Sequence, residues 1–142
     1  MQAVYRVWAA IVAAAVLVQI GFAGYGAFYV AHKVDDAPVN EDTFTDGWSL
    51  HSGFGYLVVL LGLIFVLIAL AARVGRPRVL RTLGLFGLMI LQVLLAWFGF
   101  EIPFIGVFHP INAFLILGLS ASIVYEAWRG HGRVEAVAPE PV

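Results

Sequence analysis

Two histidines stand at matching points of two long apolar runs, and they are the residues in this chain best placed to do chemistry. His51 lies near the start of LHSGFGYLVVLLGLIFVLIALAAR, with no charge between it and Arg73; His109 lies near the start of FHPINAFLILGLSASIVYEAW. A polar ring at membrane depth must find a partner. Neutral imidazole is a common metal ligand, and one imidazole on either side of a flat macrocycle makes an axial pair. Beneath His51 at helical spacing come Gly55, Val58 and Gly62; beneath His109 come Asn112, Ala113, Ile116 and Ser120. Both stripes are small or slim, whereas Leu, Phe and Ile fill the other faces. The pattern is two nitrogens above opposed grooves with room for a ring between them.

Other polar residues could join the pair. Gln19 and Gln92 are the strongly polar residues inside the two remaining apolar runs. They are expected about two to three turns deeper than the histidines, as interhelical hydrogen-bond partners or as contacts to a ligand. Glu101, ahead of His109, offers a carboxylate that could complete a divalent-metal site with the two imidazoles. Acceptors for the second ring nitrogen of His51 are sought at Ser49, Ser52 and the carbonyls around Asp46. His32 and His131 fall in polar stretches and read as solvated.

The elements that must position these residues follow from composition. Of 142 residues, 62% are hydrophobic and 12% charged, against about half apolar and a quarter charged in a soluble domain. Most of the chain therefore belongs in lipid. There is no cysteine, which excludes disulfides, thiolate metal sites, iron–sulfur clusters and thiol redox catalysis. No strong basic patch exists for nucleic acid. Four apolar segments are expected as helices, at about 4–30, 48–73, 79–100 and 109–128. The first is read as a retained span rather than a signal peptide, because its apolar run exceeds a signal core and no clean A-x-A site follows. HKVDDAPVNEDTFTDG is read as an acidic loop, the VGRPR turn ends the second segment, and Pro110 fits the first turn of the fourth. The fold class is all-α, an up-down four-helix transmembrane bundle over residues 1–130, with 131–142 as a cytoplasmic disordered tail.

In such a bundle the second and fourth helices run in the same direction and sit diagonally, so His51 and His109 can face each other. Arg73, Arg76, Arg78 and Arg81 crowd one loop while the first loop has only Lys33. The positive-inside rule then places the arginines and both termini in the cytoplasm and the histidines near the outer surface. Gln19 and Gln92, each about ten residues before the outer end of its segment and followed by a loop and a histidine-bearing helix, form a faint internal repeat.

The strings HSGFGYLVVLLGLI and FHPINAFLILGL, a third segment of QxxxA type and GAF ahead of an acidic loop resemble a family of small four-helix bacterial membrane proteins of unknown function. More distantly, the arrangement is similar to one four-helix half of heme A synthase, where paired histidines at the outer ends of alternate helices bind heme. That resemblance rests on His51, His109 and their spacing, and implies heme at this pair. It departs where heme A synthase carries a glutamate one turn before its catalytic-half histidine: Gly47 and Trp48 fill that region here, with Asp46 farther off. Heme hydroxylation is therefore not expected, while heme binding and electron transfer remain.

The expected function is a b-type heme protein of the bacterial cytoplasmic membrane. His51 and His109 are the axial metal ligands, and Gly55, Gly62, Asn112, Gln19 and Gln92 surround the heme b. It would transfer electrons or sense redox state near the outer face, with the lipid bilayer around it and a quinone or redox protein as partner. Two alternatives stand beside it: a cofactor-free accessory subunit of a larger membrane complex, and the divalent-metal site. A homo-oligomer is compatible with each, and the sequence names no substrate that would make the chain an enzyme.

Overall fold

The computed structural model describes residues 1–34 and 37–135, with side chains described up to Arg129. Four long helices carry the fold: α1 (Gln2–Val34), α2 (Glu41–Ala71), α3 (Arg76–Glu101) and, after the single turn α4 (Pro103–Gly106), α5 (Phe108–Glu135). Each long helix has the length and apolar composition needed to cross a membrane. The architecture is thus the expected all-α four-helix bundle. Each long helix packs on two neighbours, in the ring order α1, α2, α3, α5, leaving α2 and α5 diagonal to each other, as are α1 and α3.

The surface is apolar and the interior is slim, which is the pattern of a protein solvated by lipid. Phe28, Phe100, Phe104 and Phe114 are mostly exposed, while the core is built on Ala9, Val12, Val16, Val58, Ala69 and Ile116 around Tyr5, Phe65, Leu85 and Met89.

Helix boundaries differ from those expected, most of all in α2. It begins at Glu41 rather than near residue 48, because Asn40 caps it: its side chain accepts a hydrogen bond from the Thr43 N–H at 2.8 Å. Glu41 and Asp42 then sit in the first turn, where negative charge suits the exposed N–H groups. Much of the expected acidic loop is therefore helix. The last helix runs on to Glu135, into the stretch read as tail; residues 136–142 lie outside the described part. At the other end of the bundle the α2–α3 turn uses Gly75 at φ 92°, in the left-handed region, and Pro77 in the first turn of α3.

Two close helix crossings, both near the histidine end, draw the helices into pairs. A Cβ on Gly26 of α1 would lie 2.7 Å from the Gly47 carbonyl oxygen of α2; one on Gly99 of α3 would lie 2.8 Å from the Cα of Gly106 in α4. Gly26 and Gly99 each follow a glutamine by seven positions (19 to 26, 92 to 99). The faint repeat thus has a structural counterpart.

Replacing Gly99 by Val should destabilise the bundle by about 1–3 kcal/mol through overpacking against backbone that cannot retreat. Gly118→Ala, where a Cβ meets nothing within 4 Å, should be neutral or stabilising by up to about 1 kcal/mol. Denaturant titration in detergent micelles measures both; equal costs would mean that the Gly99 crossing is loose.

Candidate functional site: a paired glutamine–histidine clasp

The two histidines meet at the centre of the bundle. Their ring centroids are 6.1 Å apart with planes inclined at 62°, although they sit on the diagonal helices α2 and α5. Each is held by the glutamine of its neighbouring helix. His51 Nδ1 lies 3.1 Å from the backbone oxygen of Gln19, while Gln19 Nε2 donates to the backbone oxygen of His51 at 2.8 Å. His109 Nδ1 lies 3.1 Å from the Gln92 backbone oxygen, and Gln92 Nε2 donates to the His109 backbone oxygen at 3.0 Å. Ring and amide are each satisfied by the other helix's backbone.

This pattern fixes the tautomer. A carbonyl oxygen can only accept, so each Nδ1 carries the proton, which in a neutral ring leaves the lone pair on Nε2. The Gln19 amide nitrogen is also 3.2 Å from His51 Nδ1 and 3.4 Å from His51 Nε2, contacts longer than its bond to the carbonyl. The glutamines therefore stand level with the histidines, not two to three turns deeper. The expected acceptors for His51 are corrected too: Ser49 donates to Asp46 O in its own helix, and the Gln19 backbone takes the ring N–H.

The two halves differ in how the glutamine oxygen is met. Gln92 Oε1 accepts from Asn112 Nδ2 at 2.7 Å, and Asn112 also donates to Leu88 O at 2.9 Å. Gln19 Oε1 is buried with no protein partner, and in the other half the same is true of Asn112 Oδ1. A buried acceptor left bare costs about 1–3 kcal/mol, so it marks a place where a water or an occupant with a hydrogen to offer would be stabilised.

A cavity of about 190 Å³ lies against this group. His51, His109, Gln19, Gln92 and Gly55 line it; Gly62 and Asn112 do not. The face of Gly62 is taken by Met89, whose Sδ would stand 2.5 Å from an added Cβ, so the groove on α2 closes one turn below Val58. Asn112 is spent on bracing Gln92. The exposed part of the lining is concentrated on α2 and α3, at Ser52, Tyr56, Trp97 and Phe100. Trp48 packs edge-on against the His51 ring at 5.6 Å, and Phe44 joins Trp48 to Phe100 at 6.1 and 6.4 Å. These aromatics roof the histidine end from α2 to α3.

Among the described residues no group of three or more His, Cys, Asp or Glu is gathered. Glu101 is exposed and does not complete a three-ligand set with the histidines. His32 is exposed as expected; the side chain of His131 lies outside the described part.

Fold and site together define a four-helix membrane bundle with a twofold glutamine–histidine clasp at its centre. The chain belongs to a family of unknown function, DUF6220, whose model matches residues 19–99, more than half of its length. The match runs from Gln19 to Gly99 and includes His51 and Gln92, ending before His109. No curated protein and no solved structure matches the chain.

The bare glutamine oxygen on one side gives an unequal pair of mutants. Gln92→Met removes the bonds to His109 O and from Asn112; Gln19→Met removes the bond to His51 O, the longer contacts with the His51 ring and the unpartnered oxygen. With each membrane hydrogen bond worth about 0.6 kcal/mol and up to about 2, Gln92→Met should cost more, by about 1 kcal/mol. Unfolding titrations of both variants in the same detergent check this; an equal or reversed order would mean that Gln19 Oε1 is satisfied in solution.

Proposed function

We propose that His51 and His109 are the axial ligands of a b-type heme held across the centre of the bundle. The observation that carries this reading is the 6.1 Å separation of the two rings. Metal–nitrogen bonds of about 2 Å, with roughly 1 Å more from each nitrogen to its ring centre, put the centroids of a trans pair about 6 Å apart; a tetrahedral ion would draw them to about 5 Å. Trans ligation is favoured, and with it a planar four-nitrogen ring to fill the remaining positions.

The residues present fit that group. With the proton on Nδ1, a neutral ring would offer Nε2 as the ligand atom, and ring orientation is set by the Nδ1 bonds to the glutamine backbones, the support that metal-bound histidines usually have. Gly55 and Ala113 line the cavity next to the pair with minimal side chains. The cavity is smaller than the roughly 300–1,000 Å³ of enclosed ligand pockets, so an occupant of macrocycle size extends into the opening between α2 and α3. Heme would supply a one-electron iron centre; the chain supplies two nitrogens, their orientation and an aromatic roof against water. The role is electron transfer or redox sensing.

The arginines support an orientation. Arg73, Arg76, Arg78 and Arg81 lie at the end opposite the histidines, which by the positive-inside rule supports the reading that this end and both termini are cytoplasmic and the site is near the outer face of a bacterial membrane. Single cysteines at Asp42 and Arg76 should label oppositely with an impermeant thiol reagent on intact cells, the first from outside and the second only after permeabilisation. Labelling of both from outside would reverse the orientation.

Protein expressed with ample heme and purified in detergent should show a low-spin absorption spectrum that sharpens on dithionite reduction. His51→Ala and His109→Ala should each abolish it, leaving high-spin or no heme, with helical content unchanged because the apolar spans are untouched. His32→Ala should not alter it. A colourless wild-type protein would remove the heme reading and favour a cofactor-free accessory subunit, whose mark is co-purifying membrane chains.

A further inference from the structure

Among the described side chains every arginine, Arg6, Arg73, Arg76, Arg78, Arg81 and Arg129, lies at the end of the bundle opposite the histidines. The one carboxylate among them, Glu126, is held by Arg81. Arg6 stands apart from the other five. It lies in the second turn of α1, inside the span, and its guanidinium is turned onto the Trp128 ring of α5 at 5.6 Å. Its Nε is buried without a hydrogen-bond partner, which is not so in Arg78 or Arg81, the other part-buried arginines. The adjoining contacts set its depth: Tyr5 meets Thr82 of α3 at 3.3 Å, and the Trp8 indole donates to the Leu61 carbonyl of α2 at 3.1 Å. Arg6 is thus about 6 Å inside the start of α1, and a side chain of this length reaches the head groups from there.

Enclosing Nε strips water from one side of the cation, and the protein supplies no anion in return. Among the described residues the Arg81–Glu126 contact is the one ion pair. Helix phase explains why Glu126 does not serve Arg6. Ser122 and Glu126 both reach Arg81 and so face α3, while Trp128 lies about 200° round from Glu126 and faces α1. Between those faces, on the outward side, Arg129 stands over Tyr125 at 4.4 Å. A charge in a membrane helix that lacks a protein partner calls for an external counter-ion. Stacking on the indole holds the guanidinium in place and still leaves its terminal N–H groups to donate. Below it the seam is shallow: Ala10, Ala13 and Ala14 follow Arg6 at helical spacing, and Ala121 stands two turns before Trp128.

We propose that Arg6 and Trp128 form a site at the α1–α5 seam for the phosphate of an anionic phospholipid, in the leaflet at the arginine end. The terminal N–H groups of Arg6 donate to two phosphate oxygens in the forked geometry that suits guanidinium and phosphate. A net negative head group sits in the field of Arg129 and the α2–α3 arginines, whereas a choline head group brings a further cation to them. The acyl chains lie along the alanine-lined seam. The histidines take no part, so the site stands or falls apart from the heme reading.

The full chain in non-ionic detergent, titrated with phosphatidylglycerol or with phosphatidylcholine of the same acyl chains, tests this when bound lipid is counted by native mass spectrometry. One phosphatidylglycerol should be retained saturably, about ten-fold more tightly than phosphatidylcholine, the value of a charge-assisted hydrogen bond. Arg6→Gln should remove that preference. Arg6→Lys keeps the charge without the planar fork, and Trp128→Leu keeps the charge without the stacking; each should weaken retention about three-fold. These two carry the test should Arg6→Gln lose helicity. Arg76→Gln, at the exposed start of α3, should leave the preference in place, and millimolar inorganic phosphate should not displace the lipid. Equal retention of the two lipids, wild-type retention by the folded Arg6 and Trp128 variants, or an equal loss in Arg76→Gln would overturn the proposal. Displacement by inorganic phosphate would overturn it too, by making the ligand a soluble anion.

Discussion

An imidazole in a membrane helix carries an N–H that lipid cannot satisfy, and the rest of this structure depends on how that N–H is bonded. Here the acceptor is a helix carbonyl on the neighbouring helix, 3.1 Å away in both halves. A helical carbonyl already serves its own helix and has one lone pair left. Reaching it requires the two backbones to run unusually close, and this explains the glycine crossings. Gly26 against Gly47, and Gly99 against Gly106, remove the side chains that would hold the pairs apart. Each glutamine then returns a bond to the histidine's own carbonyl, so that one crossing satisfies both polar side chains. The ring orientation and the proton on each Nδ1 follow from that arrangement.

The twofold character of the site also shows where the halves part. Asn112 follows His109 by three positions, where Phe54 follows His51. The asparagine occupies Gln92 Oε1 and reaches Leu88 O; the phenylalanine packs edge-on against Phe22 of α1 at 5.2 Å and leaves Gln19 Oε1 bare. One side of the pair satisfies its glutamine oxygen and the other does not, and each side retains one unmet acceptor, Asn112 Oδ1 in the first and Gln19 Oε1 in the second. Polar networks in low dielectric are stabilising when complete and costly when not, so both halves have something to gain from a water or an occupant that offers a hydrogen.

The four spans, their ring order and the inward-facing stripes below the histidines were legible in the sequence, because apolar length and helical spacing decide them. The depth of the glutamines was not. Counting residues from segment ends assumed that α2 begins near Trp48, whereas the Asn40 cap and the acidic first turn begin it at Glu41; the signal was present as Asn-Glu-Asp-Thr but read as loop. The acceptor for the imidazoles was hidden for a different reason. A backbone carbonyl has no sequence signature, and only the crossing geometry brings it within reach. Gly62 looked like room for a ring, yet Met89 from α3 fills it, since a small residue tells of a gap on its own helix and nothing of what the next helix puts there.

The position of the cavity follows from where the bundle is tied. At the arginine end the bonds cross between the two helix pairs: Tyr5 of α1 meets Thr82 of α3 at 3.3 Å, and the Arg6 guanidinium of α1 stands over Trp128 of α5 at 5.6 Å. Arg81 also holds Glu126 and Ser122 of α5, locking the second pair. At the histidine end the hydrogen bonds run within pairs, Gln19 to His51 and Gln92 to His109. What joins one pair to the other there is aromatic contact, through the two imidazoles and the Phe44–Phe100 edge. Such contacts are worth about 0.5–1.5 kcal/mol each and tolerate small changes of separation. Rigid pairs weakly joined at one end leave a space between them at that end, and the two imidazoles line it.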